Sequence, residues 1–179
     1  AMLDRLIAFL RASLAGSRSD SQSLAAEFAR LRDYLALMEV RMGDRLATRF
    51  TLPTTLVSAQ IPPLLLQPIV ENSIRHGLEP QREGGRIEIV AARDGDALVV
   101  TVRDTGAGAT DVTPTVGGGF GLDHVRERLA TLYGSAASFD LAPATDGGGG
   151  MVATVRLPLA TEAPAAAVPA SATTCNRAP

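Results

Sequence analysis

Asn72 lies close in sequence to two nitrogen-rich side chains, Arg75 and His76, in the segment Glu71-Asn72-Ser73-Ile74-Arg75-His76-Gly77. At 100° per residue, Leu66, Ile69, Val70, Ser73 and Ile74 share one arc of a helix, and Asn72, Arg75 and His76 take the opposite arc. An amide oxygen beside a cation suits a hard metal ion that bridges phosphates. The plainer alternative is a solvated face with a Glu71–Arg75 ion pair at i, i+4. A second segment, Leu98-Val99-Val100-Thr101-Val102-Arg103-Asp104, alternates as a strand does. Strand parity puts Leu98, Val100, Val102 and Asp104 on one buried face. A carboxylate there is costly unless it is hydrogen-bonded. The exocyclic amino group of adenine is one suitable donor, and Gly106 and Gly108 would let a flat base approach the backbone. A local turn, in which Asp104 takes nearby N–H groups, fits equally well. The third segment, Gly117-Gly118-Gly119-Phe120-Gly121-Leu122, opens a helix, where free N–H groups attract phosphate. A flexible hinge explains the same glycines.

The elements that must position these groups follow from periodicity. Residues 2–14 and 24–42 read as amphipathic helices, the second with Leu24, Phe28, Leu31, Leu35 and Met38 on one stripe and Asp20 or Ser21 as its cap. A short strand is expected at 49–52. An apolar helix is expected over 62–77, with Pro68 in its first turns and Gly77 at its end. Strands at 86–92 and 98–104 join through Asp94-Gly95-Asp96. Residues 106–119 read as a mobile loop. Residues 120–133 form a helix with Leu122, Val125, Leu129 and Leu132 inward, and 138–141 and 152–157 are closing strands. The fold class is α+β: a two-layer sandwich of a mixed β-sheet with helices on one face, preceded by N-terminal helices. Residues 161–179, rich in Ala and Pro, read as a disordered tail.

Composition narrows the function. The formal net charge of −2 argues against a nucleic-acid binder, and 4% aromatics without Trp argue against base-stacking platforms. Cys175 is the single cysteine, so neither an internal disulfide nor a cysteine metal cluster forms. No apolar run reaches the roughly 18–20 residues of a membrane span. Asp4, Arg5 and Arg11 interrupt residues 2–14, which therefore do not read as a signal peptide. Ala1 ahead of Met2 reads as a cloning scar on a piece of a longer protein.

The order of the three segments is more specific than any one of them. In that order the sequence resembles the GHKL ATP-binding (Bergerat) fold, shared by gyrase, a heat-shock chaperone, MutL and histidine kinases. It looks closest to LytS-like sensor histidine kinases. Residues 63–77, from Pro63-Leu64-Leu65-Leu66-Gln67-Pro68 to His76-Gly77, match that group's asparagine box almost throughout. Tyr34-Leu35 through Glu39-Val40-Arg41-Met42-Gly43-Asp44-Arg45 match the preceding segment. Gly119-Phe120-Gly121-Leu122, Val125-Arg126-Glu127-Arg128-Leu129 and Leu132-Tyr133-Gly134 match its glycine box. The resemblance covers most of 2–159.

The resemblance implies a catalytic domain that takes ATP and Mg²⁺. Asn72 would ligate Mg²⁺ and Arg75 would contact phosphate, where many relatives have Lys. Asp104 would accept from the adenine amino group, with Gly106 and Gly108 shaping the pocket. Gly119 and Gly121, with Phe120 and Leu122, would line the phosphates, and 109–118 would be the lid. His76 belongs to the asparagine box, and Glu71 would at most polarise or act as base. Residues 1–44 would be a remnant of dimerisation and histidine-transfer helices, 45–160 the ATP-binding domain and 161–179 the tail. The implied partners are the protein's own upstream phosphoacceptor domain, a response regulator and a second copy. The implied setting is the cytoplasmic face of a membrane-anchored protein.

The departures are informative. No Pro-His-Phe-type phosphoacceptor motif occurs, and His76 and His124 are the only histidines. Gyrase-like ATPases carry a water-activating Glu where this chain has Pro68, which speaks against hydrolysis. Gly150-Met151 replaces the usual Gly-Thr and loses a hydroxyl near the adenine, which keeps open a degenerate nucleotide-binding module. An anti-sigma-type serine kinase shares the fold but usually lacks the preceding helices.

Overall fold

Alternation in 98–104 is the pattern on which the structure is built. In this computed structural model, which describes residues 21–106, 108, 120–145 and 147–159, the two central strands are β4 (Gly85–Asp94) and β5 (Ala97–Asp104). A two-residue turn joins them, and Gly95 takes the left-handed conformation (φ 60°) that the tight reversal needs. In β5 every second residue from Leu98 to Asp104 is buried. Its neighbours repeat the pattern in register, with Ile89 opposite Val102 and Val155 opposite Val100. With β2 (Leu46–Thr51), β6 (Ser138–Pro143) and β7 (Met151–Pro158), these strands form a sheet of order β2-β4-β5-β7-β6. The β2–β4 pair is parallel and the other pairs are antiparallel. The strand expected at 49–52 is thus longer and starts at Leu46.

Three helices contribute to one core with the buried face of the sheet: α1 (Leu24–Met42), α2 (Gln67–Asn72) and α3 (Phe120–Tyr133). The stripe Leu24, Phe28, Leu31 and Leu35 of α1 is fully buried, as its spacing requires, and Met38 packs at the margin. Its cap is Ser23, whose hydroxyl accepts from Ala26 N at 3.2 Å, rather than Asp20 or Ser21. Ser23 lies in β1 (Gln22–Ser23), which pairs antiparallel with β3 (Gln60–Ile61).

The helix expected over 62–77 begins at Gln67. Residues 62–66 form an irregular strap in which Leu64 has φ 60°. The Leu66 carbonyl accepts the first helical bonds, from Ile69 N and Val70 N, both at 3.1 Å. Pro68 sits in the first turn, where its missing N–H costs nothing. Beyond Asn72 the helix widens into a π turn, Ser73–Leu78, and Glu79 N reaches back to Ile74 O at 2.9 Å. Gly77 lies inside this turn and does not cap it.

In α3, Leu122, Val125 and Leu129 face the core as expected, whereas Leu132 is 49% exposed. Among the described residues no helix is long and apolar enough to cross a membrane. The helix expected at 2–14, the lid at 109–118, Gly119 and the tail at 161–179 lie outside the described residues.

Candidate functional site

The widened helix from Gln67 to Leu78 is the piece that joins the three sequence segments. At its start, a Cβ placed on Gly121 of α3 would stand 3.6 Å from Pro68 Cβ, so the glycine-box helix begins against the first turn of α2. At its far end, a Cβ on Gly77 would stand 2.8 Å from Asp104 Oδ1, so the π turn backs directly onto that carboxylate. One helix therefore touches both other elements, and its outer arc spans the distance between them. Leu66, Ile69, Val70, Ser73 and Ile74 are buried, Asn72 is half-buried, and Arg75 and His76 are exposed, in agreement with the arcs read from spacing. π turns inside α-helices occur frequently at functional sites.

Asp104 ends β5 and is 2% exposed. Its Oδ1 accepts from Gly106 N at 3.0 Å and from Met151 N at 3.3 Å. The local turn anticipated as an alternative therefore forms, and a second donor comes from β7. The carboxylate fits because glycines surround it. A Cβ on Gly106 would lie 2.3 Å from Gly77 O, and one on Gly150 only 2.0 Å from Asp104 O. No real Cβ tolerates those separations. What the structure demands of Gly106 is thus contact with the Gly77 backbone. Gly108 (φ 68°) follows it close to Gly150.

Glu71 is exposed and accepts from Gln67 Nε2 at 2.7 Å. Among the described residues no ion pair joins it to Arg75. Its charge is felt instead by Tyr34 on α1. Burial, followed by the Glu71 carboxylate, pushes that phenol up to about 12, with Arg41 opposing. Leu122 is buried and anchors the start of α3 to the core.

Sequence reasoning overlooked Glu27, Arg30 and Arg128. Glu27 is completely buried on α1 and receives Leu66 N on Oε1 at 3.0 Å and Leu64 N on Oε2 at 3.3 Å. Gln22 Nε2 and Arg30 Nη1 also donate to Oε2, the latter at 3.3 Å. Burial raises its pKa above the ordinary carboxylate value, against the lowering effect of these donors. From α3, Arg128 Nη1 donates to Pro63 O at 2.6 Å. The available signal for Glu27 was its place on the apolar stripe, three residues after Leu24 and four before Leu31.

Residues 62–161 match the family model described as "Histidine kinase-, DNA gyrase B-, and HSP90-like ATPase". The chain belongs to this family. Residues 1–46 match a second model, "Histidine kinase". The kinase domain is 33% identical to the sensor protein LytS of Staphylococcus haemolyticus over 147 residues, 76% of this chain and 25% of that protein. It is 31% identical to the sensor histidine kinase YpdA of Escherichia coli over 140 residues, 74% of this chain and 25% of the relative. The chain thus spans about a quarter of the length of the curated relatives it matches. Among solved structures, the histidine kinase domain of a blue-light activated histidine kinase from Erythrobacter litoralis superposes with a TM-score of 0.58 at 20% identity, covering 89% of this chain and 75% of that one. The catalytic domain of the histidine kinase ThkA gives a TM-score of 0.58 at 15% identity, covering 79% and 95%. Those likenesses establish the fold: a mixed five-stranded sheet with helices. Within the family the chain groups with LytS-like sensor histidine kinases and carries their catalytic ATP-binding domain.

Proposed function

We propose that this domain binds ATP with Mg²⁺ and passes the γ-phosphoryl group to a histidine that residues 1–179 do not supply, for relay to an aspartate of a response regulator. The observation that carries the reading is the span of one helix from the Gly121 end of α3 to the Asp104 corner. Asp104 Oδ1 is engaged by two backbone N–H groups. Oδ2 is then the acceptor for the adenine amino group. Asn72, half-buried on the outer arc between these ends, would hold Mg²⁺, which neutralises charge on the phosphates during transfer. A single amide oxygen suits Mg²⁺, which keeps several waters and takes few protein ligands beside the phosphates. Arg75 and His76 are exposed on the same side and would contact phosphate oxygens. Gly119, Phe120 and Gly121 would line the phosphates, with Leu122 fixing the helix beneath them.

Positioning and charge are what the protein contributes to such a transfer. Pro68, at the place where gyrase-like enzymes hold a water-activating Glu, offers no base for hydrolysis. Glu71 is turned toward Gln67 and is assigned at most a polarising role. In the parent protein, residues 1–44 would belong to the dimerisation and histidine-transfer helices, 45–160 to the ATP-binding domain and 161–179 to a disordered tail. The parent would be a homodimer held in the inner or plasma membrane by its N-terminal region, with this domain in the cytoplasm.

The test uses γ-labelled ATP and Mg²⁺ with this chain, alone and mixed with a helical domain bearing a phosphoacceptor histidine. Label is expected on the added domain and absent when Asn72→Ala replaces the wild type. Strong labelling of the chain alone, on His76 or His124, would overturn the reading.

A further inference from the structure

The strap at 62–66 is held more firmly than a connection needs. Its buried residues include Pro62, Pro63, Leu65 and Leu66, and Leu64 adopts a left-handed conformation that β-carbon-bearing residues rarely take. Two anchors reach it from different helices. Glu27 of α1 accepts the N–H groups of Leu64 and Leu66, and Arg128 of α3 donates to the Pro63 carbonyl. The glutamate is a charge fully withdrawn from water, and Arg30 is its ion-pair partner. Buried ion pairs add little to stability over well-packed apolar residues. A strained residue and a buried charge together characterise places where geometry matters to function.

The Asn72 helix starts at the end of this strap. Leu66 supplies its first carbonyl, and Asn72 lies about 9 Å along the axis at about 1.5 Å per residue. A tilt of about 6° at Leu66 moves Asn72 by about 1 Å over that lever. We propose that Glu27 and Arg128 are positioning residues for Asn72: they pin the 62–66 strap and so set where the Asn72 amide stands against the phosphates and their metal. This rests on the reading of Asn72 as the metal residue. It also makes α1 and α3 joint owners of one strap, so that movement of either helix reaches the metal site through 62–66.

The readout is the gain in ATP affinity that Mg²⁺ brings, measured calorimetrically on the full chain as the ratio of affinities with Mg²⁺ and with EDTA. Glu27→Gln places an amide where two backbone donors expect oxygen. Arg128→Met removes one part-buried hydrogen bond, keeps the apolar stem and leaves the Glu27 network in place. Each is expected to cut the Mg²⁺ gain by roughly tenfold or more, the scale on which groups that orient a metal ligand act on metal affinity, while ATP affinity in EDTA stays near wild type. Leu98→Ala, a core truncation at the end of β5 far from Asp104, lowers the melting temperature without changing the gain. A purely structural role for the anchors would give the Leu98→Ala pattern in Glu27→Gln and Arg128→Met, and that result sinks the proposal. Asn72→Ala separates the two readings. If it leaves the gain intact, the assignment of the metal residue fails. If it abolishes the gain while both anchor variants retain it, the positioning role alone fails.

Discussion

Replacing Asp104 separates the job it performs in the fold, holding a turn, from the one proposed for it, reading a base. In the folded protein Oδ1 accepts two N–H groups, from Gly106 at 3.0 Å and Met151 at 3.3 Å, in a place that is 2% exposed. Asp104→Asn keeps an oxygen for those donors, so folding stability should move little. On the nucleotide side, however, the Nδ2 group of the new amide replaces Oδ2 and meets the adenine amino group donor to donor. A hydrogen bond to a charged group contributes about 1.5–3 kcal/mol. At about 1.4 kcal/mol per tenfold, ATP should bind about 10- to 150-fold more weakly. Inosine triphosphate presents a carbonyl at the same ring position, so the variant should gain affinity for it relative to ATP. Asp104→Ala behaves differently. It strands both N–H groups and should cost about 1–3 kcal/mol of stability for each. The assay pairs nucleotide calorimetry with urea unfolding on the same samples. Unchanged ATP affinity in Asp104→Asn, with no shift toward inosine triphosphate, would refute the assignment of Oδ2 to the base.

Other consequences are independent of that one. Gly106→Ala drives a Cβ to 2.3 Å from the Gly77 carbonyl oxygen. The overpacking should cost about 1–3 kcal/mol and lower the melting temperature by about 2–10 °C. Leu132→Ser should leave stability within about 0.5 kcal/mol because Leu132 is half exposed, whereas Leu129→Ala should cost about 2–5 kcal/mol, both read by denaturant unfolding. The folded-state pKa of Glu27 lies above its ordinary value of 4.5 because burial outweighs its hydrogen bonds and Arg30. The folded state then binds the proton more tightly than the unfolded chain does. Its contribution to stability is fully present below pH 4.5 and is lost as pH rises through the raised folded value. Unfolding free energies across that window should fall with rising pH in the wild type, and Glu27→Gln should lack this component of the slope.

Much of the site was legible in the chain because side-chain period is a local property. Alternation in β5 placed Asp104 inward, and the burial of Leu98, Val100, Val102 and Asp104 agrees with it. The 100° spacing separated Asn72, Arg75 and His76 from Leu66, Ile69, Val70 and Ile74, and the exposures follow that division. Gly95 marked the hairpin, and Pro68 stands in a first helical turn as its missing N–H requires. Each of these needs only the polarity and backbone preference of nearby residues.

The remainder depended on groups far apart in the chain. The helix over 62–77 lost its first turn because Leu64 turns left-handed and two of the strap's N–H groups go to Glu27 on another helix, an acceptor that no local pattern supplies. Gly77 reads locally as a helix end, yet its lack of a side chain serves the carboxylate of β5 packed against it. Leu132 has the right spacing to face inward, but it is 49% exposed while its neighbour Tyr133 packs against the core. The sequence by itself determined which faces are apolar, and hence that Asp104 and Asn72 lie on opposite kinds of surface. Tertiary structure decided which backbone donors each buried carboxylate receives, because a buried charge is satisfied by whatever the fold brings within hydrogen-bonding reach.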